Sequence, residues 1–426
     1  MNRSGFQSDP VSRRQFVLQA ARATLGVSVL SSGVDAAFGA AEAAPKGVGG
    51  RARACIYLFL GGGLSHVDTF DPKTGSTKGA RDPISTNVPG IQLGGYMTRL
   101  AKQADKLSIV RSMTTTNGVH GPASYLMHTA YAERGTIVHP TLGVWAQHFK
   151  GKSHHSLPSS VAIGQGTANA GFFPFAYTPV PISNPEEGLQ NARATVPEDR
   201  SKRRMNLSNR FDAAFREKYQ SAAVKGYTEL YDQTVQLLAS SDLDAFDLKK
   251  ESQQVRDRYG RGYFGQGCLL ARRLVQSGVR FVEVYSGGWD MHEGLDSRMT
   301  TRGGELDQGM AALLEDLKSS GLLDSTLVVL GTEFGRTPDI NQNAGRDHHP
   351  RVFSTVFAGG GVKGGYVHGA TDEGGRGATE NPVTVQDFIA TVGAAMGLPV
   401  SEVVMSPSGR PFTVGDRGKV VADIFV

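Results

Sequence analysis

Residues 326–360, TLVVLGTEFGRTPDINQNAGRDHHPRVFSTVFAGG, decide how this chain is read. An apolar β-branched run is followed by Glu333 and Arg336, then by Asp347, His348 and His349 in a row, and then by a second apolar run. Continuous apolar runs of this length are buried strands, and side chains just beyond such strands are where a parallel sheet presents a metal or catalytic site. Neighbouring residues on extended chain point to opposite sides. One of His348 and His349 is therefore expected to be a ligand of a divalent metal ion, and the other a supporting or substrate contact.

The same signature recurs elsewhere. The run ACIYLFL from Ala54 ends in three glycines and a polar turn carrying His66, Asp68 and Asp71, three possible ligands within six residues at a strand end. The run VRFVEVY from Val279 leads to Asp290-Met291-His292, again a ligand pattern past a buried strand. His120-Gly121-Pro122 opens a helix, and proline in a first turn with a free helix N-terminus suits an anion.

Between these points the chain alternates. Helices are expected at 97–106, 140–149, 303–320 and 385–396, the last capped by Thr384, and a short strand at 107–110. Residues 156–197 read as a long loop with one strand, VAIGQG. Residues 200–274 read as charged helices, an outer layer or lid, with Arg256, Arg258, Arg261, Arg272 and Arg273 on a solvated face. Strand and helix in turn give an α/β class with a mostly parallel central sheet and helices on both faces. A single domain over 51–420 carries a helical insertion around 198–275.

At 426 residues, 39% hydrophobic and 20% charged, the chain has enough apolar content for a large core. The net charge of +5 is weak evidence for nucleic acid, because several arginines fall in the first 53 residues and no run alternates basic and aromatic side chains. Residues 1–43 have a twin-arginine start at Ser12-Arg13-Arg14-Gln15-Phe16, a short apolar middle and a small-residue end, the order of a bacterial export signal. A mature protein beginning near Ala44 is expected outside the cytoplasm, in the periplasm. No run approaches the length of a transmembrane helix. Cys55 and Cys268 are expected as buried free thiols.

The segments GGGLSHVDTFDPK, HGPASYLMHTA, GTEFGRTP and GRDHHP, together covering the span 51–400, resemble the twin-arginine-exported bacterial proteins grouped as domain of unknown function 1501, within the alkaline phosphatase and sulfatase superfamily. The resemblance implies an alkaline-phosphatase-like fold and one or two ions of zinc, calcium, magnesium or manganese. It puts His66, Asp68 or Asp71 in a first ligand role, makes Asp290 and His292 the middle pair, and sets Glu333 and Phe334 where an Asp-His pair is usual. His348 or His349 becomes the late histidine.

The nucleophile departs from the sulfatase pattern, because His120 stands where its cysteine or serine would be. Either Ser124 or Thr116 attacks, or His120 is a ligand and a metal-activated water attacks directly. Two function classes follow. One is an exported metal-dependent hydrolase of phosphate or sulfate esters, small-molecule or glycan, with His120, Ser124 and Arg336 catalytic, Arg336 neutralising the anion. Its metal environment is His66, Asp68, Asp290, His292, Glu333, Asp347, His348 and His349. The other is a degenerate scaffold that binds a glycan or a partner protein in the cell envelope. Oligomeric state is not legible.

Overall fold

All seven residues of β1 (Ala54–Leu60) are buried, because strands flank it on both sides and helices cover both faces. The computed structural model of the protein describes residues 50–426 except 167–168, 191 and 193–195, so the leader read in residues 1–43 lies outside the described residues. The other strands of the nine-stranded sheet are β2 (Leu107–Thr114), β3 (Ser160–Ile163), β4 (Val180–Ile182), β5 (Phe281–Ser286), β6 (Thr326–Gly331), β7 (Phe353–Ala358), β8 (Tyr366–His368) and β9 (Val383–Thr384). Their order is β8-β2-β7-β6-β1-β5-β3-β4, with β9 also beside β2. Among the described residues, only β7 of this sheet runs antiparallel to its neighbours, β2 and β6. The N-terminal end of β7 therefore lies at the edge where its neighbours have their carboxyl ends. This reversal brings residues just before β7 to the same edge as residues just after β1, β2, β5 and β6.

Alternation along β1 divides the core. Ile56, Leu58 and Leu60 face α6 (Tyr263–Gln276) and α7 (Leu295–Ser319). Cys55, Tyr57 and Phe59 face α1 (His120–Thr129), α2 (Leu142–Lys150) and α8 (Val385–Ala395). Between β4 and α6 lie α3 (Glu198–Lys218), α4 (Ala222–Leu238) and α5 (Gln253–Tyr259), in the stretch read as charged helices. Thr384 caps α8 through a reciprocal capping box with Asp387. Both cysteines are free and buried.

Two local readings change. Val180–Ile182 is a second strand in the region read as loop; Pro181 sits in it because β4 is a sheet edge, where a missing N–H is tolerated. Three of the five arginines assigned to a solvated face are instead anchored: Arg256 is buried on Gln266 Oε1 at 3.0 Å, and Arg272 and Arg273 both reach Glu251, at 3.0 and 2.7 Å. Helix α6 packs on the sheet, so its arginines tie down the neighbouring turns. Arg258 and Arg261 do stay at the surface.

One charged pair is buried inside the apolar layer. His128 Nε2 of α1 lies 3.0 Å from Glu283 Oε1 of β5, and His128 Nδ1–H donates to the Ser124 carbonyl at 2.6 Å. Burial alone would hold the imidazolium down, but the Glu283 charge and hydrogen bond raise its pKa above the ordinary 6.5. A raised folded pKa gives stability that is complete below the unfolded value and lost as pH rises through the folded one. Urea unfolding at pH 6 and pH 9 should therefore show a loss of stability with rising pH that is smaller in His128→Gln; equal slopes would refute the coupling. In the same layer, Phe59→Ala should cost about 3–5 kcal/mol by equilibrium unfolding.

Candidate metal centre

Residues from five strand ends meet at the carboxyl edge. After β1 the chain turns through Gly62, whose φ of +126° suits glycine and where a Cβ would meet the Asp290 nitrogen at 2.3 Å. The Gly62 N–H donates to Glu333 Oε1 at 2.7 Å. Past β5 comes Asp290, past β6 comes Glu333, past β2 the loop to His120 at the first turn of α1, and ahead of β7 comes His348. A two-stranded ribbon, Gly335–Arg336 against His348–His349, sets the register of that last loop.

Three imidazoles here are oriented by their Nδ1 atoms. His120 Nδ1–H donates to Glu333 Oε1 at 2.7 Å, His292 Nδ1–H to Asp347 Oδ1 at 2.7 Å, and His348 Nδ1–H to the Gly118 carbonyl at 2.8 Å. In the neutral rings this leaves every Nε2 as a lone pair. All three point at Asp290: His292 Nε2 and His348 Nε2 lie 3.0 and 3.2 Å from Oδ1, and His120 Nε2 lies 3.4 Å from Oδ2. The Nε2 atoms of His292 and His348 are themselves 3.1 Å apart. Two lone pairs facing each other beside a carboxylate need a cation between them, either a proton or a metal ion. His120 Nε2 is buried without a hydrogen-bond partner, and His120, Asp290 and His348 offer ligand atoms all within 4.8 Å of one another. The donor set of imidazoles and one carboxylate, each ring held through its other nitrogen, fits a divalent transition ion.

The electrostatics agree. Burial opposes ionisation of Asp290, yet the hydrogen bond and charge of Arg336, with His348 and His120, bring its pKa down to about 2. His120 is raised above 6.5 first by its hydrogen bond to Glu333, against the effect of burial. Asp347 is lowered by the His292 hydrogen bond and then by Asn341, whose Nδ2 donates to Asp347 Oδ1 at 3.1 Å and to the His292 carbonyl at 3.0 Å. Sequence reasoning did not single out Asn341. Phe334, in the place where a histidine was expected, walls the site instead, its ring centroid 4.9 Å from His120 and 4.7 Å from His348.

The other expected residues take different places. Glu333 and Asp347 grip histidines rather than facing the Nε2 cluster. Arg336 is buried and its donors are used internally: Nε on the Gly63 carbonyl at 3.1 Å, Nη1 on the Arg346 carbonyl at 3.0 Å, and Nη2 on Asp290 and the Gly62 carbonyl. It holds a ligand in place and has no fork left for a substrate anion. Asp68 pairs with fully buried Arg346 at 2.8 Å, and Ser65 donates to it at 2.5 Å. His66 donates to the Gly375 carbonyl at 2.8 Å, and burial pushes its pKa down to about 4. His349 points away from His348, donates to the Arg376 carbonyl at 2.9 Å and stacks on His66. Ser124 lies one turn beyond His120, and among the described residues no hydrogen bond joins its hydroxyl to the cluster; Thr116 is exposed in the preceding loop.

A family model described as "Protein of unknown function (DUF1501)" matches residues 52–425. Comparison with curated proteins finds no match. Solved structures similar in fold include a protein in the alkaline phosphatase superfamily from Vibrio parahaemolyticus, at 12% identity and TM-score 0.42, covering 88% of this chain and 71% of that one. The PsFucS1 sulfatase from Pseudoalteromonas sp. has 13% identity and TM-score 0.36, covering 86% and 73%. The phosphonate monoester hydrolase SpPMH from Silicibacter pomeroyi has 11% identity and TM-score 0.36, covering 87% and 78%.

Because the Asp68 and Arg346 charges are fully buried together, removing one partner strands the other. Asp68→Ala should lose about 3–5 kcal/mol of stability, while metal uptake per mole of folded protein stays at the wild-type level. Normal stability with lost uptake would make Asp68 a ligand instead.

Proposed function

Since the chain belongs to the family described as proteins of unknown function, DUF1501, its chemistry has to be read from its own residues, and we propose that it is an exported, metal-dependent hydrolase of phosphate or sulfate esters. The observation that carries this reading is the convergence of three oriented Nε2 lone pairs on the ionised Asp290. His120, Asp290, His292 and His348 would hold a divalent ion. Such an ion polarises an ester oxygen and lowers the pKa of water toward neutrality.

The protein's own groups do the positioning. Glu333, Asp347 and the Gly118 carbonyl fix the tautomers and aim the rings, and Arg336 keeps Asp290 ionised at all ordinary pH. His292 and Asp290 are each nearly half exposed, so the cluster is open to solvent on that side and an ester can reach it. The anion is favoured by the N-terminus of α1, which begins at His120 and carries the positive end of the helix dipole. Buried Glu333 and Phe334 close the opposite wall.

A second reading is favoured by one observation: among the described residues, no hydrogen bond joins the Ser124 hydroxyl to the cluster. In it the same centre retains an ion and binds an anionic glycan or partner without turnover.

Two measurements separate these readings. The purified protein, loaded with zinc, manganese, magnesium or calcium in turn, is assayed on aryl phosphates and aryl sulfates. Turnover with at least one ion is expected; retained metal without turnover on either ester class would support the binding reading. Uptake of the ion should release protons, since ligating imidazoles must be neutral, and His120, with its raised pKa, makes retention fall on acidification. Glu333→Gln should weaken metal affinity about 10–100-fold and His348→Ala should abolish retention. Unchanged affinity in both variants would place the ion elsewhere.

A further inference from the structure

Helix α3 carries a feature that the site does not use. Helix α3 is 21 residues long and, apart from half-buried Met205, Asp212 and Arg216, every residue on it whose surroundings are described is exposed. Leu207, Phe211 and Phe215 follow at intervals of four and are 52%, 73% and 54% exposed. Such a ridge normally turns toward a core; here it faces out. At about 100° per residue, these three share a sector of about 140° with Arg200, Arg203, Arg204, Arg210 and Lys218, all exposed, and no acidic residue falls inside that sector. Of the acidic residues on α3, exposed Asp199 and Glu217 lie about 20° beyond the Arg210 edge of the sector, and Asp212, beyond the other edge, pairs with Arg216, which also reaches Asp232 of α4.

We propose that this face of α3 docks on an anionic lipid surface. Large apolar side chains interspersed with arginine and lysine suit a bilayer interface, where the rings enter the acyl boundary while the long basic stems reach back to lipid phosphates. Five cations in the sector supply the charge complement of an anionic headgroup layer. Pairing with the same face of a second copy would set those cations against each other. The inference is independent of the hydrolase reading, because α3 contributes nothing to the metal centre.

The test is co-sedimentation of the full chain with vesicles of phosphatidylcholine alone or mixed with phosphatidylglycerol. The leader is present in every sample, so differences between variants report on α3. The wild type should partition onto the mixed vesicles and be released as salt rises from about 0.05 to 0.5 M. The double variant Phe211→Ser, Phe215→Ser and the triple variant Arg203→Ser, Arg204→Ser, Arg210→Ser should each lose at least tenfold in partition, with circular dichroism unchanged. Wild-type binding that is indifferent to salt or equal on phosphatidylcholine would overturn the proposal, as would variants that bind like the wild type. A lipid-free oligomer that the double variant dissociates would also overturn it, by making the ridge a contact between copies.

Discussion

His292 Nε2 and His348 Nε2 stand 3.1 Å apart, each deprived of its own proton by a hydrogen bond from Nδ1, and both face the same carboxylate oxygen of Asp290. Two lone pairs facing each other at that separation beside a carboxylate call for a cation between them, a proton or a metal ion. Much of the carboxyl edge of the sheet answers to this constraint. Glu333 is buried so that it can hold His120; Arg336 is buried so that it can hold Asp290; Gly62 is glycine so that its backbone can pass against Asp290 while donating to Glu333. The reversed strand β7 is what allows His348 to arrive from the opposite chain direction.

Buried charge elsewhere in the same loops is structural. The pair of Asp68 with Arg346, and the backbone carbonyls capped by Arg336, pin the 332–350 segment to the turn after β1. That pinning is why the loop can be long, polar and still fixed. A metal site built on loops needs such support, because a ligand displaced by an ångström no longer reaches the ion.

Strand ends were the most legible part of the sequence. Runs such as ACIYLFL and TLVVLG admit little besides buried parallel strands, and their polar sequels located the site's edge. The split between His348 and His349 followed from strand alternation alone. What could not be read was which polar residue faces inward. Asp68, Glu333 and Arg336 look like ligands or clamps in sequence, and only the distant partners Arg346, His120 and Asp290 reveal their structural work. Those partners lie between 46 and 278 residues away, so no local pattern encodes them. The strand at Val180 was hidden by Pro181, and the anchored Arg256, Arg272 and Arg273 by a charge pattern that a solvated face shares.

X-ray absorption at the zinc edge of the zinc-loaded protein tests the central claim most directly. Nitrogen and oxygen ligation with outer-shell scattering from several imidazoles, reduced in His120→Ala and with no zinc retained in His348→Ala, is the predicted result. A protein that retains no zinc, or whose spectrum lacks imidazole scattering, would contradict the account.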